Sequence, residues 1–198
     1  MTTMSIGETD PRPLTVDDLE RMPDDGRRYE LVDGRLDVSP SPMPIHARIE
    51  HRLSVHLEAQ CPDGFEIFEG AGIDLNSRRT HHRIPDVSVF ESERIPHRHF
   101  ETPPLLAIEV VSPESVLRDS HTRKREYAEF GIESYWIVTP GPTGIGIAEF
   151  RLKGGEYQPA NEAVDFDVFV TDAPFPVRLV PHWLIADGSQ WKTRLGGE

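Results

Sequence analysis

The sequence contains little positive charge and few lysine residues. Among its 198 residues, 34 are Asp or Glu and 21 are Lys or Arg, so the formal net charge at pH 7 is −13. Nonspecific affinity for nucleic acid comes mainly from cations that neutralise phosphates, so a protein that coats DNA passively is excluded. The acidity is concentrated at the two ends, because residues 1–34 carry −5 and residues 126–198 carry −6, whereas residues 35–125 carry −2.

Cysteine and long apolar segments are also scarce. Cys61 is the only cysteine in the sequence and cannot form an internal disulfide, so we expect a cytoplasmic protein in a reducing environment. Apolar runs such as residues 105–108 are far shorter than the ~20 residues that a helix needs to cross a bilayer. Residues 1–10 lack the basic and apolar regions of a secretory signal. We therefore expect no membrane segment.

The length and composition suit one domain with a hydrophobic core. Hydrophobic residues make up 37% of the chain, which is enough to bury a core at this size. We expect a flexible amino-terminal segment at residues 1–14, a single domain over residues 15–185 and a carboxy-terminal tail at residues 186–198.

Local patterns predict a mixed α/β domain. Thr15 with Asp18 resembles a capping box, and Asp33-Gly34 is typical of a type I′ hairpin turn. The predicted elements, in chain order, are a short helix after Thr15, a hairpin at 29–39, a helix at 45–60, strands at 66–75, 84–90 and 105–111, a helix at 115–130, a strand at 134–139, a hairpin at 146–157, and irregular chain from 165. This alternation of helices and strands indicates a sheet covered by helices.

Two carboxylates interrupt apolar strands. Asp86 lies in the segment IPDVSVF, and Glu109 lies in the segment LAIEVV of the next predicted strand. A buried ionised carboxylate is costly unless it pairs, becomes protonated or binds a cation. Two such groups on neighbouring strands suit Mg²⁺, which prefers oxygen ligands. A purely structural role remains open for each residue, in which Asp86 caps the end of a strand and Glu109 pairs with an arginine.

The order and spacing of Asp86 and Glu109 resemble a known sequence motif. Pro85-Asp86 in one strand, with Glu109 in the next, resembles the nucleases of the PD-(D/E)XK class. More specifically, the chain resembles the Uma-two-type restriction endonuclease family from about Thr15 to Ile185. The matching motifs are YELVDG at 29–34, His46 at the start of a helix, PDVS at 85–88, EVVSPES at 109–115, RD at 118–119, YAEFGI at 127–132 and SYWIV at 134–138.

The resemblance implies a fold and an activity. The fold would be restriction endonuclease-like, a mixed sheet flanked by helices with a hairpin added near each end. The activity would be metal-dependent hydrolysis of phosphodiester bonds, with DNA as the substrate and Mg²⁺ or Mn²⁺ as the cofactor. Asp86, Glu109 and the backbone carbonyl of Val110 would bind the ion. Glu30 would be an additional acid or a ligand to a second ion, unless it is an exposed hairpin charge.

The chain departs from the class pattern at the catalytic lysine. That lysine is expected two residues after Glu109, where this sequence has Val111. The family resembled usually places the lysine on the following helix, at the position of Arg123, whereas Lys124 lies one residue further. One residue rotates a helical side chain by about 100°, so the two positions are not equivalent. Thr139 stands where the family commonly has aspartate.

The remaining polar and aromatic residues allow more than one interpretation. His46 is a possible accessory residue of the site, since the matching family position faces it. His51 and His56 are expected to be solvated, and His81-His82 to lie in a loop. Trp136 and Tyr135 are expected in the core. The cations Arg118, Arg123, Lys124 and Arg125 either face phosphates or form a solvated helix face.

Two rival functions remain open from the sequence. A catalytically silent binding or assembly module would retain the fold, and the replaced lysine favours it. A two-carboxylate glycosidase is the weaker alternative, because no motif supports it. A homodimer would fit a nuclease that cuts both strands of DNA.

Overall fold

The computed structural model describes residues 12–97, 99–111 and 116–197, and the side chains of residues 116–120 are not described. The motif at 112–115 therefore lies outside the described residues. The helices are α1 Val16–Leu19, α2 Pro44–Glu58, α3 Val116–Phe130, α4 His182–Ile185 and α5 Trp191–Arg194. The strands are β1 Arg28–Val32, β2 Arg35–Ser39, β3 Phe65–Glu69, β4 Ile73–Asp74, β5 His82–Arg83, β6 Val87–Glu91, β7 Leu106–Val110, β8 Ser134–Pro140, β9 Ile145–Lys153, β10 Glu156–Val164, β11 Phe169–Thr171 and β12 Val177–Leu179.

A six-stranded mixed sheet forms the centre of the fold. Its strand order is β10-β9-β8-β7-β6-β3, in which β7 and β8 run parallel and the other neighbours run antiparallel. The parallel pair is joined through α3, as a parallel connection requires a crossover. The hairpin predicted at 146–157 is β9–β10, and it extends this sheet at one edge.

The two faces of the central sheet bury different sets of apolar residues. Alternate residues of a strand point to opposite faces. One face packs against α2 and forms the main core, whose members include Leu53, Val87, Ile108 and Trp136. The other face packs against α3 through a smaller cluster of Ala107, Tyr127, Ile132, Tyr135 and Ile137. Trp136 and Tyr135 are buried, as predicted.

The amino-terminal hairpin belongs to a second sheet of order β2-β1-β5-β4. Its turn residues Asp33 and Gly34 have φ values of 51° and 78°, so both adopt the left-handed conformation of the predicted type I′ turn. A Cβ atom at Gly34 would lie 2.3 Å from the Cβ of Pro13. Glycine is therefore required there both by backbone conformation and by space.

One predicted strand and one predicted loop differ from the observed structure. The strand expected at 66–75 is divided into β3 and β4, which lie in different sheets, and Gly70 between them has a φ of 62°. His82 was predicted in a loop, which is wrong: it is buried in β5, where a ring nitrogen lies 2.7 Å from a carboxylate oxygen of Asp74. Because that carboxylate is buried too, the imidazole supplies the polar partner that it needs.

The chain after residue 165 is more regular than predicted. The strands β11 and β12 pair with each other, and α4 and α5 follow. Leu184 and Leu195 are buried in the main core, so the carboxy-terminal residues contribute to folding. Within the described parts of the chain, no helix has the length and apolar character needed to cross a membrane.

Candidate active site

The register of two neighbouring strands brings Asp86 and Glu109 together. Val87, the first residue of β6, pairs with Ile108 in β7, so Asp86, directly before β6, lies beside Glu109. The strand predicted at 84–90 therefore begins three residues later than expected, and Asp86 precedes it. Both carboxylates are buried, with 1% and 4% of the residue exposed. Asp86 accepts a hydrogen bond at 2.7 Å from the backbone N–H of Val110. Since the N–H and C=O of an extended residue leave a strand on the same side, the Val110 carbonyl is directed toward the same edge.

Glu109 is buried in contact with two side chains of α3. Its carboxylate accepts hydrogen bonds from the hydroxyl of Tyr127 at 2.6 Å and from Arg123 at 3.2 Å. Burial raises the pKa of Glu109 to about 7, against the opposing charge of Arg123. The carboxyl group therefore holds a proton through part of the neutral range in the absence of a metal ion, although Arg123 lies beside it.

Glu30 is buried and is not an exposed hairpin charge. It points from β1 into the protein, with 1% of the residue exposed. Arg123 donates to it at 2.8 and 3.1 Å, Arg83 at 3.0 Å, and the N–H of Ile84 at 2.8 Å. Burial would raise the pKa of Glu30, but Arg123 and then Arg83 hold that pKa below its usual value. Glu30 therefore anchors the guanidinium groups around it.

The two cations of α3 point in different directions. Arg123 reaches both Glu30 and Glu109, whereas the ammonium of Lys124 lies 3.2 Å from the centre of the Phe150 ring. Burial lowers the pKa of Lys124. The structure thus brings Arg123 to the carboxylates and does not bring Lys124 there, because one residue along a helix rotates the side chain by about 100°.

His46 joins the site from the first turn of α2. Its Nε2 lies 3.1 Å from Asp86 Oδ2, and its Nδ1 lies 3.7 Å from Glu50 Oε2. Burial would lower the pKa of His46. The hydrogen bond to Asp86 and the charge of the nearby Glu50 outweigh burial and raise that pKa to about 9. The same histidine and Arg28 hold the pKa of Asp86 below its usual value, although burial opposes them.

Sequence reasoning missed Arg28 and Glu50. Arg28 in β1 donates hydrogen bonds to Asp86 Oδ1 at 2.5 Å and to the carbonyl of Ile84 at 3.2 Å. Its position two residues before Glu30 was a usable signal, since such residues share one face of a strand. Glu50 lies four residues after His46, the spacing that places two side chains on one helix face.

The remaining predicted cations and histidines lie elsewhere. Arg125 is exposed and its nearest acidic partner is Glu129, at 4.0 Å, and the Arg118 side chain is outside the described residues. His51 is exposed as predicted. His56 is only partly exposed, because its Nε2 lies 2.7 Å from the carbonyl of Arg178. Of Arg123, Lys124 and Arg125, whose side chains the structure describes, Arg123 is the one that reaches the carboxylates.

The site opens into a cleft of about 520 Å³. Its walls include Arg28, His46, Asp86, Glu109 and Arg123, together with the proline-rich segment 39–43. A larger cavity of about 1260 Å³ surrounds Glu149 and Arg151, but none of these five residues lines it. Glu149 is occupied there by hydrogen bonds from Thr171 and Arg151, so the smaller cleft is the candidate site.

The donors at this cleft are suited to a divalent cation. Asp86, Glu109 and the Val110 carbonyl offer hard oxygen ligands, which Mg²⁺ and Mn²⁺ prefer. In the described part of the chain, ligand atoms of His46, Glu50 and Asp86 also lie within 4.8 Å of one another. The raised pKa of Glu109 is consistent with a carboxylate that lacks enough positive charge when no ion is bound.

Comparison with known structures defines the class of fold. A solved protein from Anabaena variabilis ATCC 29413, described as "a putative nuclease belonging to DUF820", is similar to this chain with a TM-score of 0.64. The two are 19% identical, and the similarity covers 82% of this chain and 90% of that chain. At this identity the likeness establishes the fold. The protein therefore has the nuclease-type α/β fold that the sequence motifs predicted.

The family follows from the sequence. The sequence model of the Uma2 family, described as "Putative restriction endonuclease", matches residues 16–180. Because this span covers most of the chain, the protein belongs to that family, and the prediction from the motifs is confirmed. No curated protein matches the chain.

Proposed function

We propose that the protein is an endonuclease that hydrolyses phosphodiester bonds, with DNA as substrate and Mg²⁺ or Mn²⁺ as cofactor. One observation carries the proposal: two buried carboxylates, Asp86 directly before β6 and Glu109 in β7, line one cleft together with cations. Buried carboxylates with this separation in sequence and this pairing in space are suited to binding an ion.

The ion would be held by Asp86, Glu109 and the carbonyl of Val110. When bound, such an ion polarises a phosphoryl oxygen and lowers the pKa of coordinated water. Glu109 would release its proton on becoming a ligand, so ion binding is coupled to a proton that the buried carboxyl otherwise holds.

Two arginines would position the substrate. Arg28 and Arg123 both line the cleft, and their planar guanidinium groups match phosphate oxygens. Arg123 is suited to stabilising negative charge that develops on the phosphate, but it is a poor proton donor because guanidinium keeps its proton. Glu30 would act on Arg123, since its carboxylate holds that guanidinium beside Glu109.

The catalytically silent module is the second candidate. Val111 replaces the expected lysine, and the ammonium of Lys124 lies over Phe150. A site without an ammonium group could bind an ion and nucleic acid without cleaving the chain. Activity measurements separate this candidate from the nuclease.

The test is hydrolysis of supercoiled DNA, linear duplex, single strands and RNA with Mg²⁺ or Mn²⁺. We expect wild-type protein to nick or cut DNA, and Asp86→Asn and Glu109→Gln to lose at least 100-fold in rate while remaining folded. Glu91→Gln is the matched control, because Glu91 is a partly exposed residue at the other end of β6. Ion binding without cleavage of any substrate would favour the silent module.

Double-strand cleavage would require two sites. We therefore include a homodimer in the proposal for duplex substrates, and sedimentation of the protein with and without uncleaved duplex measures it.

A further inference from the structure

The Glu50 carboxylate lies beside the imidazole of His46. Its side chain is 13% exposed, and His46 Nδ1 lies 3.7 Å from it. This Nδ1 atom is buried, and among the described residues it has no hydrogen-bond partner, since 3.7 Å is too long for one. The other ring nitrogen of His46 faces Asp86 at 3.1 Å. The imidazole is thus located between two carboxylates.

An imidazole between a metal site and a second carboxylate is common in metal-binding proteins. A histidine that ligates an ion through one ring nitrogen usually donates its other N–H to a carboxylate, which fixes the tautomer and the ring orientation. The four-residue spacing of His46 and Glu50 keeps both on one face of α2, and α2 packs on the central sheet beside β6 and β7. The helix therefore presents His46 to Asp86 and Glu50 to the far side of the ring.

We propose that His46 is a nitrogen ligand, through Nε2, of the ion bound at Asp86, and that Glu50 positions this imidazole. The inference deepens the proposed function and rests on it. An imidazole ligand makes the site prefer Mn²⁺ and later transition ions to Mg²⁺, because nitrogen donors suit those ions better. Glu50 touches neither the ion nor the substrate, so its role is that of a positioning residue.

A simpler role for His46 makes an opposite prediction. If His46 were only a cation that neutralises Asp86, it would compete with a metal ion for that carboxylate. Its removal would then strengthen ion binding. If His46 is a ligand, its removal weakens ion binding, and weakens it more for Mn²⁺ than for Mg²⁺. The sign of the change therefore separates the two roles.

The experiment is calorimetric titration of the full-length protein with Mn²⁺ and, separately, Mg²⁺, without nucleic acid. We expect His46→Ala to weaken Mn²⁺ binding at least 10-fold and Mg²⁺ binding less, and Glu50→Gln to weaken Mn²⁺ binding by about 10- to 100-fold. Asp86→Asn should abolish binding. His51→Ala and Glu58→Gln, which change exposed residues of the same helix, should match wild type. Circular dichroism confirms that each variant is folded.

A second measurement detects the nitrogen directly. Pulsed electron paramagnetic resonance of bound Mn²⁺ should show nitrogen hyperfine coupling in wild-type protein and lose it in His46→Ala. Ion binding by wild type without this coupling, or unchanged or tighter binding by His46→Ala, would overturn the inference while Asp86→Asn still supports the proposed function. If wild-type protein binds neither ion, both the inference and the proposed metal dependence are wrong.

Discussion

Arg28 Nη1 donates a hydrogen bond to Asp86 Oδ1 at 2.5 Å, and Asp86 Oδ2 is shared by the N–H of Val110 and by His46. Both oxygens of the carboxylate therefore already have partners in the protein. The positive charge of Arg28 at Oδ1 opposes a divalent cation at Asp86. Arg28 lies on the cleft wall, so ion binding is favoured when it turns toward a phosphate oxygen.

This relationship predicts opposite effects of Arg28→Gln on ion binding and on catalysis. Removal of the competing guanidinium should tighten Mn²⁺ binding several-fold, whereas DNA hydrolysis should fall at least 10-fold because a phosphate contact is lost. The ion-free protein should be destabilised by ~1–3 kcal/mol, since a buried carboxylate loses a hydrogen bond. Calorimetry, cleavage assays and urea unfolding measure the three effects. The control is Arg27→Gln, because Arg27 is an exposed neighbour of Arg28. Weaker Mn²⁺ binding by Arg28→Gln would contradict the prediction.

The cations of α3 should differ in importance. Arg123→Gln leaves Glu30 and Glu109 without their shared partner, so we expect a loss of ~3–5 kcal/mol in the free energy of unfolding and loss of hydrolysis. Lys124→Gln should retain hydrolysis within about 3-fold, because its ammonium lies over the Phe150 ring. Chemical unfolding and cleavage rates of both variants provide the comparison. A Lys124→Gln variant that folds normally and cleaves nothing would place the catalytic lysine at 124 after all.

Acid stability should depend on Glu126. Burial opposes its ionisation, but His81 and Arg83 lower the pKa of Glu126 to about 2. Its pKa in the unfolded chain is higher, about 4.3, so the ionised group stabilises the protein above that pH. This stabilisation, ~3 kcal/mol at most, is lost as the pH falls from about 4.5 to 2. Glu126→Gln should therefore flatten the pH dependence of unfolding in this range. Glu129→Gln, an exposed residue of the same helix, should leave that dependence unchanged.

Substitution by alanine should destabilise the protein more at Gly34 than at Gly64. Gly34 and Gly64 both have positive φ values, 78° and 94°. A Cβ at Gly34 would lie 2.3 Å from the Cβ of Pro13, whereas none of the described atoms lies within 4 Å of a Cβ at Gly64. Gly34→Ala should cost at least ~1 kcal/mol more than Gly64→Ala, measured by urea unfolding. Equal costs would mean that the contact with Pro13 relaxes freely.

Most of the fold could be predicted from local patterns. The turn at Asp33-Gly34, the buried strand around Trp136 and the helix at 45–60 depend on short-range signals, which are turn chemistry and hydrophobic periodicity. Prediction failed where a short segment gains its structure from a distant partner. His82 becomes a buried strand residue because Asp74 and β1 lie beside it, and no periodicity in two residues could indicate that.

The residues of the site divide in the same way. Asp86 and Glu109 were detectable in the sequence because a charged residue within an apolar segment is anomalous, and the pairing of β6 with β7 brings the two residues close together. The choice between Arg123 and Lys124 depended on the rotation of α3 against the sheet. Arg28, Glu50 and the burial of Glu30 depended on how a hairpin and a helix, distant in sequence, pack around one carboxylate. The direction of a side chain at such a contact is set by packing between elements, so the local sequence does not predict it.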